Sequence, residues 1–101
     1  MARFDVFKFA SPAVPLVMDV QANLLCDLQT RVVIPLIPLA KAQQEILPRL
    51  KPVLDIHQKP YVFMVTDIGT VKTSDLGKFI TNLEDQRYDI MNAIDFLFQG
   101  F

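Results

Sequence analysis

Imidazole titrates near neutral pH, so His57, the one histidine of the chain, is the first place to look for acid–base chemistry. It sits in the polar stretch His57-Gln58-Lys59-Pro60, which reads as a hairpin loop, and it is expected to be a solvated loop residue, not a base. The one cysteine, Cys26, has no cationic neighbour in sequence to favour its thiolate and reads as a buried structural thiol. Asp85, Asp89 and Asp95 recur along a predicted C-terminal helix. Paired carboxylates can do acid–base work, but such a row is more often a solvated face. Lys41, Arg49 and Lys51 lie in a central Pro-bounded loop, either to dock an acidic partner or as exposed loop charges. No phosphate loop, metal-ligand spacing or Gly-x-Ser-x-Gly turn is present, and three glycines leave little scope for loops that cradle phosphates. The expectation is a chain with no catalytic residue, no cofactor and no metal: not an enzyme.

The end of the chain is harder to dismiss. Phe96, Leu97, Phe98 and Phe101 give an apolar finish to a segment that would otherwise fray. One helix stripe cannot bury all of them. With Leu97 and Phe98 facing inward, Phe96 and Phe101 are left as either an anchor for a protein partner or the cover of a sheet edge or dimer seam.

These residues need elements to position them. Phe4 to Phe9, Val14 to Val20 and Arg31 to Ile37 read as strands, the last with the near-continuous apolar character of a strand buried on both faces. Val53 to Ile56 and Tyr61 to Thr66 flank the His57 loop. Pro48 and Pro52 argue against a long helix between them and Leu39, leaving one or two turns between Ala40 and Leu47. From Leu83 the apolar spacing changes to three and four, through Ile90, Ala93, Ile94, Leu97 and Phe98, which predicts an amphipathic helix. Thr81-Asn82-Leu83-Glu84 offers a capping box at its start, and Gly100 a stop at its end. A β-rich body with one terminal helix follows.

Length and composition bound the rest. The 101 residues make one domain, residues 1–101, able to bury a real core. Hydrophobic residues are 51% and charged residues 21%, a surplus that an interface between two copies would absorb. A formal net charge of −1 lacks the positive field of a strong non-specific nucleic-acid binder. A lone cysteine, no signal peptide and no apolar run long enough for a membrane helix place the expected chain in the cytoplasm, away from any membrane.

Asp19-Val20-Gln21, Val33-Ile34-Pro35-Leu36, Pro52-Val53 with Ile56, Thr66-Asp67, and Asp89-Ile90 with Asn92-Ala93-Ile94, Phe98 and Gly100 together resemble the CcdB family of toxins, end to end. The C-terminal pattern Asp-Ile-x-Asn-Ala-Ile-x-x-x-Phe-x-Gly is its most specific part. The resemblance implies a mainly β fold with a C-terminal α-helix, an SH3-like barrel of the CcdB, Kid and MazF type. It implies a cytoplasmic homodimer that binds the A subunit of DNA gyrase and traps the cleaved DNA complex, and that a cognate CcdA-like antitoxin neutralises. The gyrase contacts it implies fall on Leu24 and Leu25 after the Asp-Val-Gln strand, on Asp95, and on the final Gln99, Gly100 and Phe101. Lys41, Arg49 and Lys51 are the candidate antitoxin contacts.

The tail departs from the family pattern. Gln99 stands where the family usually has Trp, Phe101 where it has Ile, and Asp95 where it has Asn. Losing Trp removes a rigid anchor of a kind worth about 2 kcal/mol or more. Three readings follow: a gyrase poison with an altered tail; a relative that keeps the antitoxin partner but not gyrase poisoning; and an endoribonuclease, which would need clustered basic and acid–base side chains.

Overall fold

Alternation along the first three strands puts apolar side chains on both sides of one sheet. β1 (Asp5–Phe9), β2 (Leu16–Asp19) and β3 (Thr30–Pro38) are neighbours in antiparallel register. Val6 lies opposite Met18, and Met18 opposite Ile34; these join Phe4, Leu54, Phe63 and Ile90 in the main core. Phe7 lies opposite Val17, and with Val33 they form a second cluster on the other face. This is the strand buried on both faces that its apolar run predicts. The computed structural model describes residues 2–22 and 28–100.

The remaining strands are β4 (Val53–Ile56), β5 (Lys59–Phe63), β6 (Gly69–Lys72) and β7 (Leu76–Asn82), followed by helix α1 (Arg87–Gln99). The sheet runs β4-β5-β3-β2-β1-β7, with β6 also on β3. β3 is shared along one edge: Thr30–Val33 pair with β6 and Leu36–Pro38 with β5. Pro35 falls in the gap. Its carbonyl accepts the Met64 N–H at 3.0 Å, so its nitrogen faces the same interrupted side and no ladder bond is lost there. Mostly exposed β7 lies outside the predicted strands, because only Leu76, Ile80 and Thr81 of its seven residues are even half-buried.

Three local expectations change. The hairpin loop is only His57-Gln58, both at positive φ (52° and 66°), so Lys59 and Pro60 belong to β5. Pro60 lies opposite Asp55, whose outward backbone is met instead by the Gln86 carboxamide: Asp55 N–H donates to Oε1 at 2.9 Å and Nε2 donates to Asp55 O at 2.7 Å. The two turns after β3 are short 3₁₀ segments, Leu39–Lys41 and Gln43–Glu45. The helix begins at Arg87 after a 3₁₀ turn, not at a Thr81–Glu84 capping box; Thr81 is in β7, and the Asn82 side-chain oxygen accepts the Glu84 N–H at 2.8 Å.

One buried ion pair ties β2 to β3. Arg31 and Asp19 are each 0% exposed, with Arg31 Nε at 2.8 Å and Nη2 at 2.7 Å from Asp19 Oδ2. Asp19 Oδ1 accepts the Gln21 N–H at 2.9 Å, and Gln21 Oε1 accepts the Val32 N–H at 3.0 Å. The Asp-Val-Gln motif is thus a structural clasp across the mouth of the β2–β3 connection. Removing one member of such a pair strands a buried charge. Arg31→Met is expected to cost about 3–5 kcal/mol in urea unfolding, and Arg31→Met with Asp19→Leu distinctly less.

Candidate functional site

Helix α1 presents two faces because its apolar residues recur at helical spacing. Ile90 and Ala93 are fully buried, and Met91, Ile94 and Leu97 pack partly against the main core. At about 100° per residue, Tyr88, Asn92, Asp95 and Gln99 centre opposite Ile90, and all four are exposed. Phe98 corrects the expected inward stripe: it sits on the flank of the helix, 70% exposed. Tyr88 is 79% exposed. The C-terminal half of α1 therefore offers a large aromatic ring, an amide and a carboxylate to solvent from a rigid element.

The end of the helix is defined by two contacts that meet at Phe96. Gly100 has φ 78°, a left-handed conformation that glycine adopts at no steric cost, and its N–H donates to Phe96 O at 2.9 Å. The half-buried Phe96 ring lies under the Arg49 guanidinium, 4.5 Å from ring centroid to Cζ. The turn that carries Arg49 is closed on itself: Leu47 and Lys51 exchange backbone hydrogen bonds, and Lys51 Nζ pairs with Glu45 Oε2 at 2.9 Å. Of the three central-loop cations, then, Arg49 reaches the helix end, Lys51 pairs within its own loop, and Lys41 is exposed.

The other sequence-predicted residues fall as follows. Asp95, Gln99 and Gly100 are together at the helix tip. Leu24, Leu25, Cys26 and Phe101 lie outside the described residues, although the Asp19–Arg31 and Gln21–Val32 contacts hold the chain on either side of Leu24 and Leu25. His57 is exposed at its turn, with Nε2 3.3 Å from Ile80 O, on the edge of β7. Asp85, in the 3₁₀ turn before α1, and Asp89 and Asp95 on the helix are all exposed, and Glu84 pairs with Arg87 at 3.0 Å. Among the described residues no group of three His, Cys, Asp or Glu side chains is placed to hold a metal ion, and no helix is long and apolar enough to cross a membrane.

The chain as a whole is similar to known proteins over nearly its full length. The family described as CcdB protein matches residues 3–100. The chain belongs to the CcdB protein family. Among solved structures, an endoribonuclease in complex with its cognate antitoxin, from Mycobacterial species, is similar at a TM-score of 0.72 and 15% identity, covering 94% of this chain and 91% of that one. An endoribonuclease from Mycobacterial species is similar at 0.71 and 16%, covering 94% and 88%. At such identities the likeness is one of fold: this CcdB family member shares its mainly β sheet and C-terminal helix with those endoribonucleases.

Phe98 is assigned to the inward stripe when the three-and-four spacing is run on through Leu97, and Tyr88 carries no signal in that spacing. The phase centred on Ile90, Ala93 and Leu97 places Phe98 at the flank and Tyr88 outside. The Arg49–Phe96 contact joins residues far apart in sequence and leaves no local signal. The two faces predict different costs. Ile90→Ala should destabilise the fold by about 2–5 kcal/mol, whereas Phe98→Ala should shift it by less than about 0.5 kcal/mol, both read from urea midpoints.

Proposed function

We propose that this chain is the toxin of a type II toxin–antitoxin system, and that it acts in the cytoplasm by binding the A subunit of DNA gyrase and trapping the cleaved DNA complex, without catalysis of its own. The observation that carries this reading is the helix tip: Phe98 stands 70% exposed beside Asp95 and Gln99 on a helix anchored by Ile90 and Ala93. An outward aromatic on a rigid element is the usual anchor of a protein interface, because it brings a large area at little entropic cost. Membership of the CcdB family supports the target, and the gyrase contacts that the resemblance implies would fall on Leu24, Leu25, Asp95, Gln99, Gly100 and Phe101.

A cognate CcdA-like antitoxin is the second partner. It is supported by the family and by the fold shared with an endoribonuclease solved with its own antitoxin. Lys41, Arg49 and Lys51 are its proposed contacts. A homodimer is supported by the large apolar side chains left exposed on a single copy, among them Leu28, Leu47, Val53 and Phe79. A net charge of −1 argues against nucleic-acid binding by the chain alone.

The tail substitutions set the test. Trp at position 99 would restore a rigid anchor, so Gln99→Trp is expected to tighten binding to the purified gyrase A subunit by roughly 30-fold. Expression of the unaltered chain in a sensitive bacterial host should arrest growth with gyrase-linked DNA breaks. A harmless native chain that Gln99→Trp makes lethal would leave an antitoxin-binding relative that no longer poisons gyrase. RNA cleavage by the purified chain would overturn both binding readings.

A further inference from the structure

We infer that Arg49 is a positioning residue for the helix tip: its guanidinium, stacked on Phe96, holds the last turn of α1 in the conformation the tip presents to a partner. This rests on the reading of the tip as a binding surface. The geometry runs through one residue. The Phe96 ring lies 4.5 Å below Arg49 Cζ, and the Phe96 carbonyl accepts the Gly100 N–H that ends the helix. What fixes Phe96 therefore also fixes where the backbone leaves the helix at Gly100.

Arg49 is suited to this because its own turn is rigid. Leu47 and Lys51 are bridged in both directions, Lys51 is pinned to Glu45, and the half-buried Leu50 beside Arg49 packs against the main core. The last turn of α1 carries no basic residue of its own, so the cation delivered from the loop also places a positive charge near the helix's negative end. Helix ends fray, and α1 stops at a glycine whose Cβ position is open space. Without Arg49, the final turn would be held mainly by Leu97 and the Gly100 hydrogen bond.

The test pairs hydrogen exchange with binding. In Arg49→Met, which keeps the aliphatic stem but loses the cation, the Gly100 amide is expected to exchange about two- to five-fold faster, with the Ala93 amide unchanged. Arg49→Lys should recover most of the protection. Phe96→Leu should loosen Gly100 similarly, and adding Arg49→Met to it should do nothing further. Affinity for the gyrase A subunit should fall by the same factor in Arg49→Met. Unchanged Gly100 exchange in Arg49→Met, or an Arg49→Met effect that persists in the Phe96→Leu background, would overturn the inference. So would faster exchange with undiminished gyrase binding. If neither native nor variant chain binds gyrase while Gly100 exchange rises as expected, Arg49's hold on the last turn stands and the gyrase target fails.

Discussion

The Asp19–Arg31 pair is the constraint on which the rest of this molecule rests. Two charges with no solvent exposure lie between β2 and β3, and a buried charge is tolerated only when its partners are held in place. Arg31 sits two residues before Val33, the register partner of Asp19, so the pair can close only if the β2–β3 register is the observed one. That register then decides which side chains face the main core and which face the Phe7–Val17–Val33 cluster. It also brings Gln21 to the Val32 amide, drawing together both ends of the connection that carries Leu24 and Leu25.

From this body the helix is fastened at both ends by side chains distant in sequence. Near its start, the Gln86 carboxamide takes up the outward N–H and C=O of Asp55, capping the open edge of β4 at that residue. Near its end, Arg49 covers Phe96. Between them, Ile90 and Ala93 enter the core. The outer stripe needs no further support, which leaves Tyr88, Asn92, Asp95 and Gln99 available to a partner. Function on this reading lies in surface shape and charge, and the fold shared with endoribonucleases fixes only the scaffold.

Much of the scaffold is legible in the sequence because it rests on local pattern. The apolar run of β3, the prolines that bound the central loop and the three-and-four spacing after Leu83 each lead to the element found. β6 and β7 are not legible, because most of their side chains are in solvent on either face and so no apolar alternation marks them. The hairpin is shorter than its polar stretch suggests, because His57-Gln58 is an unusual pair for a turn with two positive φ angles, where Asn-Gly is favoured. Asp19-Val20-Gln21 stands out in the sequence only as part of a family pattern; its physical role as a clasp becomes visible with Arg31 opposite. At the site, Asp95, Gln99 and Gly100 follow from the resemblance, but the exposed Phe98 and the Arg49 contact depend on helix phase and tertiary packing.

On the proposed reading, the helix tip serves binding and not folding. The most direct test is titration calorimetry of the purified gyrase A subunit with the native chain and with a chain lacking residues 99–101, each paired with a urea unfolding curve. The native chain is expected to bind and the shortened chain not to, while the two unfold at nearly the same urea concentration. Undiminished binding by the shortened chain, or a collapse of its stability, would contradict a tip built for binding.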